Sequence, residues 1–312
     1  MGARTEDGAR RGLRLLISSM SAAGRSVSAG PEVARILRAG GWRVQAVVTT
    51  SSDAPDRIAG DCDEEVVAAI GGDGYLSAVA RGCHDAGRVF APIPGGRGND
   101  LCRALGIGTD PRERARSLAP LGLAGASSDG EFDGRKRSLD GIWVDSADGL
   151  RLVLGIVSLG VDAQANIRAN ESSLNYGPLA YAYGAIAAFS RYRHIPVRGI
   201  VDGVERDLTG WLASISNSGR FGGGITLVPQ SDPFDGVLEL CHARAVSRWT
   251  ALPVLARALG GRAADGDIIS IEEARRVEVV QPVGMPVMAD GDRVARVPFV
   301  ASVAPGAVTV LV

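Results

Sequence analysis

The sequence predicts an α/β domain followed by a β-rich domain. Strand-like and helix-like segments alternate through the first 137 residues, the pattern of βαβ units on a parallel sheet. Beyond residue 138 the rhythm becomes short β-branched runs punctuated by Gly, Asp and Pro. Two of the early strands also end in glycine-rich turns that open helices. We therefore expect a tail over residues 1–11, a nucleotide-binding α/β domain over 12–137 that residues 301–312 can join, and a β-rich domain over 138–300.

The elements follow in order. Leu13–Ser18 is a buried strand. Pro31–Ala39 is a helix with Pro in its first turn and Gly40-Gly41 as its stop. Arg43–Thr50 is a β-branched strand. Glu65–Ile70 is a buried strand ended by Gly71-Gly72, Tyr75–Ala86 has helical composition, and Val89–Ile93 is a strand ended by Pro94. In the second domain, strands are expected at 139–144, 150–159, 197–201, 211–217, 237–242 and 277–281, with helices near 178–191 and 247–259. Val308–Val312 is a final strand able to pair in either domain.

The chemistry concentrates at the two turns. Gly71-Gly72-Asp73-Gly74 allows positive φ and close approach of backbone, and successive amides at a helix N-terminus form an anion site. A carboxylate in that setting repels phosphate, so Asp73 calls for a cation, and Mg²⁺ shared with a triphosphate is the economical choice. A plain β-turn is the other reading of this tetrapeptide. Pro94-Gly95-Gly96-Arg97-Gly98-Asn99-Asp100 repeats the arrangement after the next strand. Asn99 and Asp100 fall at a helix start there, and Arg103 lies one turn on, able to neutralise phosphate charge. Both turns would leave the carboxyl ends of parallel strands, where ligands bind.

Bulk properties exclude several classes. A net charge of −1 over 312 residues gives no overall attraction to nucleic acid. Lys136 is the only lysine, and it stands in Gly-Arg-Lys-Arg, so a Walker A loop is excluded. Cys62, Cys83, Cys102 and Cys241 form no CxxC pair, which argues against zinc and for reduced cytosolic thiols. Met1–Gly12 is polar and reads as a tail rather than a signal peptide. The apolar segment 178–190 falls short of the roughly 20 residues a membrane-spanning helix needs. The neighbouring Arg191-Tyr192-Arg193-His194 run reads as a solvated helix end, with contact to an anionic surface as the alternative.

Taken together, Gly71–Gly74 and the run Pro94–Ile107 resemble the diacylglycerol kinase catalytic-domain family, which includes bacterial lipid kinases and sphingosine and ceramide kinases. Ser138-Leu139-Asp140, Ser158–Ala163, Phe221–Gly224 with Pro229 and Asp235-Gly236, and Asp290-Gly291-Asp292 are similar to its later motifs, in the same order. The resemblance implies a Rossmann-like first domain of the NAD kinase and phosphofructokinase kind, a β-sandwich second domain, and ATP in the cleft between them. It implies a cytoplasmic kinase that touches the membrane peripherally, moves a γ-phosphate to the hydroxyl of a diacylglycerol-like or sphingoid lipid, and is built as a homodimer. By position, Gly71, Gly72, Asp73 and Gly74 would bind phosphates together with Gly96, Arg97, Asn99 and Arg103, and Thr49 or Thr50 would sit near the nucleotide. Asp73, Asp100 and Asp140 would surround a catalytic Mg²⁺. Asp232, Asp235 and Val237 would hold a structural Mg²⁺, and Asp292 would stand where the family places its glutamate base.

Besides aspartate in place of that glutamate, three other departures from the family pattern stand out. Tyr75 and Arg97 replace threonines, and the N-terminal Asn-Pro-x-x-Gly motif is reduced to Met20-Ser21-Ala22-Ala23-Gly24. Two alternatives therefore stay open: a non-catalytic nucleotide- or lipid-binding relative, and an NAD kinase-like enzyme.

Overall fold

Gly12–Ser18 forms β1, a strand covered on both faces. Leu13, Leu15 and Ile17 pack with Val33 and Leu37, while Leu16 is fully buried on the other side. Strands buried on both faces read as near-continuous apolar runs, and this one is broken only by Arg14, whose Nε reaches Glu64 Oε2 at 3.0 Å. The computed structural model describes residues 10–123, 132, 135–161, 163–164, 189, 192–221, 224–259, 266–290 and 292–312. Residues 1–9 of the expected tail over 1–11, the helix over 178–191 except Phe189, and Gly222, Gly223 and Gly291 of the motif turns lie outside these residues, as does Asp162. The chain divides into two units, one reaching Leu139 and including Ala307–Val312, the other running from Asp140 to Gly306.

In the first unit, β1 lies between β2 (Arg43–Thr49) and β3 (Val66–Gly71). The sheet continues through β4 (Val89–Pro94) to the last residues of the terminal strand, where Val310 is in register with Phe90. Every one of these pairings is parallel. The connecting helices are α1 (Arg25–Ala39), α2 (Pro55–Gly60), α3 (Asp73–Ala86), α4 (Asp100–Ala104) and α5 (Pro111–Leu118). Helices α1 and α5 share one core cluster with the sheet, and α2 and α3 cover the opposite face. Because β2 and β3 flank β1, the strand order reverses between β1 and β3, and such a switch point opens a crevice at the carboxyl ends of the strands.

Helix α1 starts at Arg25, well before the expected Pro31, which lies inside it. Gly24, at φ 87°, sets the actual start. The hydrogen bond that Pro31 cannot donate would have gone to Val27, and both residues are exposed, so water can satisfy the carbonyl. Composition alone did not call α2 or α5, each of which begins at a proline, Pro55 and Pro111.

The second unit is built from antiparallel strands. One sheet runs β14 (Ile269–Ala274), β13 (Leu238–Arg244), β10 (Gly210–Ser216), β7 (Ile156–Gly160), β16 (Pro286–Ala289) and β17 (Asp292–Arg296). Against it lie β5 (Lys136–Ser146) with β6 (Gly149–Val153), and β15 (Arg276–Gln281) between β8 (Arg198–Val201) and the start of β18 (Phe299–Leu311). One apolar cluster fills the space between the layers and draws residues from nearly all these strands, among them Ile142, Leu159, Ile215, Leu240, Val279 and Phe299. This is the β-sandwich. The short strands β9 (Val204–Asp207), β11 (Arg220–Phe221) and β12 (Ile225–Thr226), the helix α6 (Arg248–Leu259) and 3₁₀ turns at Ser21–Gly24 and Ala119–Gly122 complete the described elements.

The single strand expected over 150–159 is two strands in different layers. The break falls at Gly155, where the Asp290 side chain packs so close that a Cβ would stand 2.1 Å from its Oδ1, so a larger residue would have to displace that carboxylate.

Arg114 fastens the first unit from inside. It is 5% exposed. Its Nε donates to Pro92 O at 3.1 Å and its Nη2 to Leu311 O, joining α5 to the end of β4 and the terminal strand. Burial pulls its pKa down to about 10. Replacing Arg114 with Met keeps the stem but removes both donors, and should lower the unfolding free energy by roughly 2 to 3 kcal/mol in a urea titration. Arg112→Met, at an exposed ion pair with Glu32, should leave the midpoint unchanged.

Candidate functional site

The first unit brings three loops together at the carboxyl edge of its sheet. The turn after β1 sends Ser21 Oγ to accept from Gly72 N–H at 3.1 Å. At the start of α1, Ser26 Oγ donates to Gly95 O at 3.3 Å and Arg25 Nη1 to Gly96 O at 3.5 Å. Gly95 N–H donates to Gly71 O at 3.0 Å. A Cβ on Gly96 would come within 2.6 Å of Gly72 Cα. Among the glycines of these two turns, backbone contact is thus tightest at Gly96, while a Cβ on Gly71 would meet the Tyr75 ring and one on Gly95 would crowd Ser26 Oγ, Ile70 and the Gly71 amide. The φ angles of these glycines are not positive, contrary to the expectation for a flexible turn; the residue in the left-handed region is Asn99, at φ 53°.

Asp73 is the first residue of α3 and holds the N-terminus of α4. Its Oδ1 accepts from Leu101 N–H at 3.0 Å, and the amides of Asp100, Asn99 and Asp73 itself add to the stabilisation of its charge. Burial nevertheless dominates and raises its pKa above the usual carboxylate value. The α4 amides thus cradle the Asp73 carboxyl group, which satisfies donors left open at the start of that helix. Asn99, 5% exposed, closes the loop instead of capping: Gly96 N–H donates to its Oδ1 at 2.8 Å, and its Nδ2 donates to Gly96 O at 3.3 Å.

The other predicted residues of this unit divide into buried and open positions. Asp100 is buried and Arg97 is exposed. Arg103 is exposed, with Nε donating to Gly98 O at 3.2 Å. Thr49 is buried beneath Tyr75, the two hydroxyls 2.9 Å apart. The Tyr75 ring packs on Gly71, and burial pushes its phenol up to about 12. Thr50 is exposed and turned toward Asp53, whose Oδ2 it meets at 2.7 Å through N–H and 2.8 Å through the hydroxyl.

In the second unit, Asp140 is 3% exposed and works as a staple. Its Oδ2 accepts from Gly236 N–H at 2.7 Å and its Oδ1 from Gly306 N–H at 2.6 Å. Asn217 Nδ2 donates to Asp140 O and Leu154 O, each at 3.0 Å. The Asn217 Oδ1 is buried without a hydrogen-bond partner. Asp292 opens β17. The residue is exposed, yet neighbouring protein desolvates its carboxyl and raises its pKa, while the Arg151 guanidinium pulls the other way.

The loop carrying Asp232, Asp235 and Val237 offers oxygen donors. Asp232 Oδ1 accepts from Phe234 N–H at 3.2 Å and Asp235 Oδ1 from Val237 N–H at 3.0 Å. Beneath them lies Glu239, 4% exposed and bonded by the Ser231 hydroxyl, its pKa raised by burial to about 7. Carboxylate and carbonyl oxygens on one loop fit Mg²⁺. Among the described residues no three acidic, histidine or cysteine side chains gather into a metal cluster. A Mg²⁺ at either acidic place would then complete its shell with backbone carbonyls, water or phosphate oxygens.

Comparison with known proteins decides the family. Residues 12–123 match the diacylglycerol kinase catalytic domain, and residues 155–312 match the YegS C-terminal NAD kinase beta sandwich-like domain. The second match alone covers half the chain. The chain belongs to the diacylglycerol kinase catalytic-domain family. Diacylglycerol kinase of Mycobacterium tuberculosis (strain ATCC 25618 / H37Rv) is 30% identical over 251 residues, 79% of this chain and 76% of the relative. Diacylglycerol kinase of Bacillus subtilis (strain 168) is 26% identical over 232 residues, 73% and 71% of the two chains. The crystal structure of a diacylglycerol kinase from Bacillus anthracis str. Sterne superposes with a TM-score of 0.75 over 97% of both chains at 16% identity, a likeness of fold. This member of the family is a kinase of the lipid-kinase group, with the α/β and β-sandwich architecture expected for it.

Three residues of this kinase carry more of the site than their types announced. Ser21 comes from the reduced N-terminal motif, yet its hydroxyl ties the β1 turn to Gly72. Ser26 joins the same turn to Gly95, and Asn217 supports Asp140. Serine after a first strand and asparagine after an apolar strand are the only sequence traces of these roles.

Gly96→Ala should push the two glycine turns apart. We expect a loss of roughly 1 to 3 kcal/mol in thermal or urea unfolding, and a larger relative fall in phosphotransfer than in stability. Asp140→Ala strips the partner from the amides of Gly236 and Gly306 and should cost roughly 1 to 3 kcal/mol, read by the same unfolding titration.

Proposed function

We propose that this kinase transfers the γ-phosphate of ATP, with Mg²⁺, to a hydroxyl group of a membrane lipid of the diacylglycerol or sphingoid class. The observation that carries this reading is the pair of glycine turns locked together at the β1/β3 switch point, with the Asp73 carboxylate between their helices. The first-turn amides of α3 have no carbonyl partner within the helix, and they head a dipole that favours phosphate. Arg97 and Arg103 are exposed beside the second turn and supply positive charge for phosphate oxygens. Mg²⁺, when bound, neutralises phosphate charge, which is most of what phosphoryl transfer asks of a protein besides positioning.

In this reading Asp73 is a positioning group. It fixes the two turns against each other and meets a cation through water. Asp292 takes the proton of the lipid hydroxyl. A base is useful only when ionised, and desolvation favours the protonated acid, so the raised pKa delays its ionisation to higher pH. It also makes the ionised carboxylate a stronger base. Asp140, Asn217 and the Asp232–Val237 loop keep the second unit ordered, the loop as a seat for a structural Mg²⁺. The protein meets its lipid peripherally; no helix among the described residues is long and apolar enough to cross a membrane.

The test is transfer of labelled γ-phosphate from ATP to a panel of diacylglycerol, sphingoid bases and phosphatidylglycerol in mixed micelles, with and without Mg²⁺. Transfer to none of them overturns the proposal. With an accepted lipid, kcat should rise with pH along an acid limb set above the ordinary aspartate range. Asp292→Asn should lower kcat by about 10²- to 10⁴-fold and abolish that limb, while Asp292→Glu should keep it. An unchanged limb in the Asn variant removes Asp292 from the role of base.

A further inference from the structure

Helix α6 has an outward face that is apolar. Ala251 and Val254 point inward and pack in a cluster with Phe189, Trp211 and Leu227. On the other side Trp249 is 84% exposed and Leu252, three residues on, is 46% exposed, with exposed Pro253 beside them. An exposed tryptophan and leucine at helical spacing form one stripe. Two large apolar side chains exposed side by side on one helix mark a candidate contact surface.

The chain entering and forming that helix is basic. Residues 243–259 contain Arg244, Arg248 and Arg257 and no acidic residue, in a chain whose net charge is −1. Arg248 Nη2 donates to Tyr192 O at 3.3 Å and so brings the 192–194 segment to the start of α6. A cavity of about 590 Å³ opens between them, lined by Arg193, His194, Trp211, Ser247 and Arg248 among others. His194 stands edge-on to Trp211 at 4.7 Å, and its buried Nε2 has no hydrogen-bond partner. An apolar wedge carrying tryptophan, flanked by arginines and next to a cavity with cationic donors, suits a surface that is greasy within and anionic at its boundary.

We propose that the outward face of α6 docks this kinase on anionic bilayers. Trp249 and Leu252 enter the boundary between headgroups and acyl chains, while Arg193, Arg248 and Arg257 meet lipid phosphates. This rests on the lipid-kinase reading for its purpose, because the protein must reach a substrate held in a membrane. Its physical evidence is the stripe and the charge.

The experiment is sedimentation of the full chain with vesicles of phosphatidylcholine alone or mixed with phosphatidylglycerol, without ATP. Wild type should bind the anionic vesicles, and binding should weaken several-fold when salt screens the arginines. Trp249→Glu and Leu252→Glu should each cut binding by about tenfold with an unchanged melting midpoint, whereas Val283→Glu, at a site 77% exposed on a different turn, should bind like wild type. Brominated lipid should quench the tryptophan emission of wild type far more than that of Trp249→Phe. Equal binding by wild type and Trp249→Glu overturns the proposal. So does a lipid-independent dimer that Trp249→Glu dissolves, because a second copy would then be the occupant. These readouts need no phosphotransfer, so loss of docking and failure of the proposed reaction are separate results. If a lipid is phosphorylated, Trp249→Glu should act normally on short-chain substrate dispersed in detergent and poorly on vesicles.

Discussion

A carboxylate facing the start of a short helix organises the first unit of this protein. Helix α4 has only five residues, too few to hold together by its own hydrogen bonds. Its first amides converge on Asp73, which belongs to a different helix and a different loop. That contact turns two flexible glycine segments into one object. The energetic balance is asymmetric: the charge is costly to bury, and the donors that gather around it are what make the burial tolerable. Ser21, Ser26 and Asn99 extend the same logic, each tying one backbone turn to the next with a small polar group. In the proposed reaction this surface receives a phosphate chain, and electrostatic stabilisation of that kind depends on donors held still before the ligand arrives.

The second unit uses the same device in another setting. Asp140 lies between the Asp235-Gly236 turn and the last long strand, its two oxygens divided between two backbone amides. Asn217 holds the carbonyl of the same residue. In both units an aspartate that looks like a ligand is also a structural fastener. Mutating either would therefore combine a loss of order with any loss of chemistry, and stability has to be measured beside activity to tell the two apart.

Much of the architecture was legible in the sequence for a simple reason. The central parallel strands β1, β3 and β4 are buried on both faces, so they read as apolar runs, and the glycine turns that follow two of them pack against each other at Gly72 and Gly96. The order of motifs from Gly71 to Asp292 carried the family. What was not legible depended on partners distant along the chain. Nothing near Asp73 says that its carboxylate will be met by Leu101. Leu150–Leu159 reads as one strand because both layers of a sandwich want apolar residues, and only the neighbour Asp290 shows why Gly155 divides it. Pro31 misplaced the start of α1 because a proline on an exposed helix face is cheap to accommodate. The short helices α2 and α5 have too few turns to show a period.

The terminal strand β18 begins among the antiparallel strands of the second unit and ends beside β4 in the first. Its last carbonyls serve Arg114, and its Val310 borders Phe90. The parallel sheet of the first unit is consequently missing a strand for as long as the ribosome is still at work on the second. Synthesis from the first residue onward therefore leaves the sheet of the first unit open at β4 until the final residues emerge, although its other four strands are made long before.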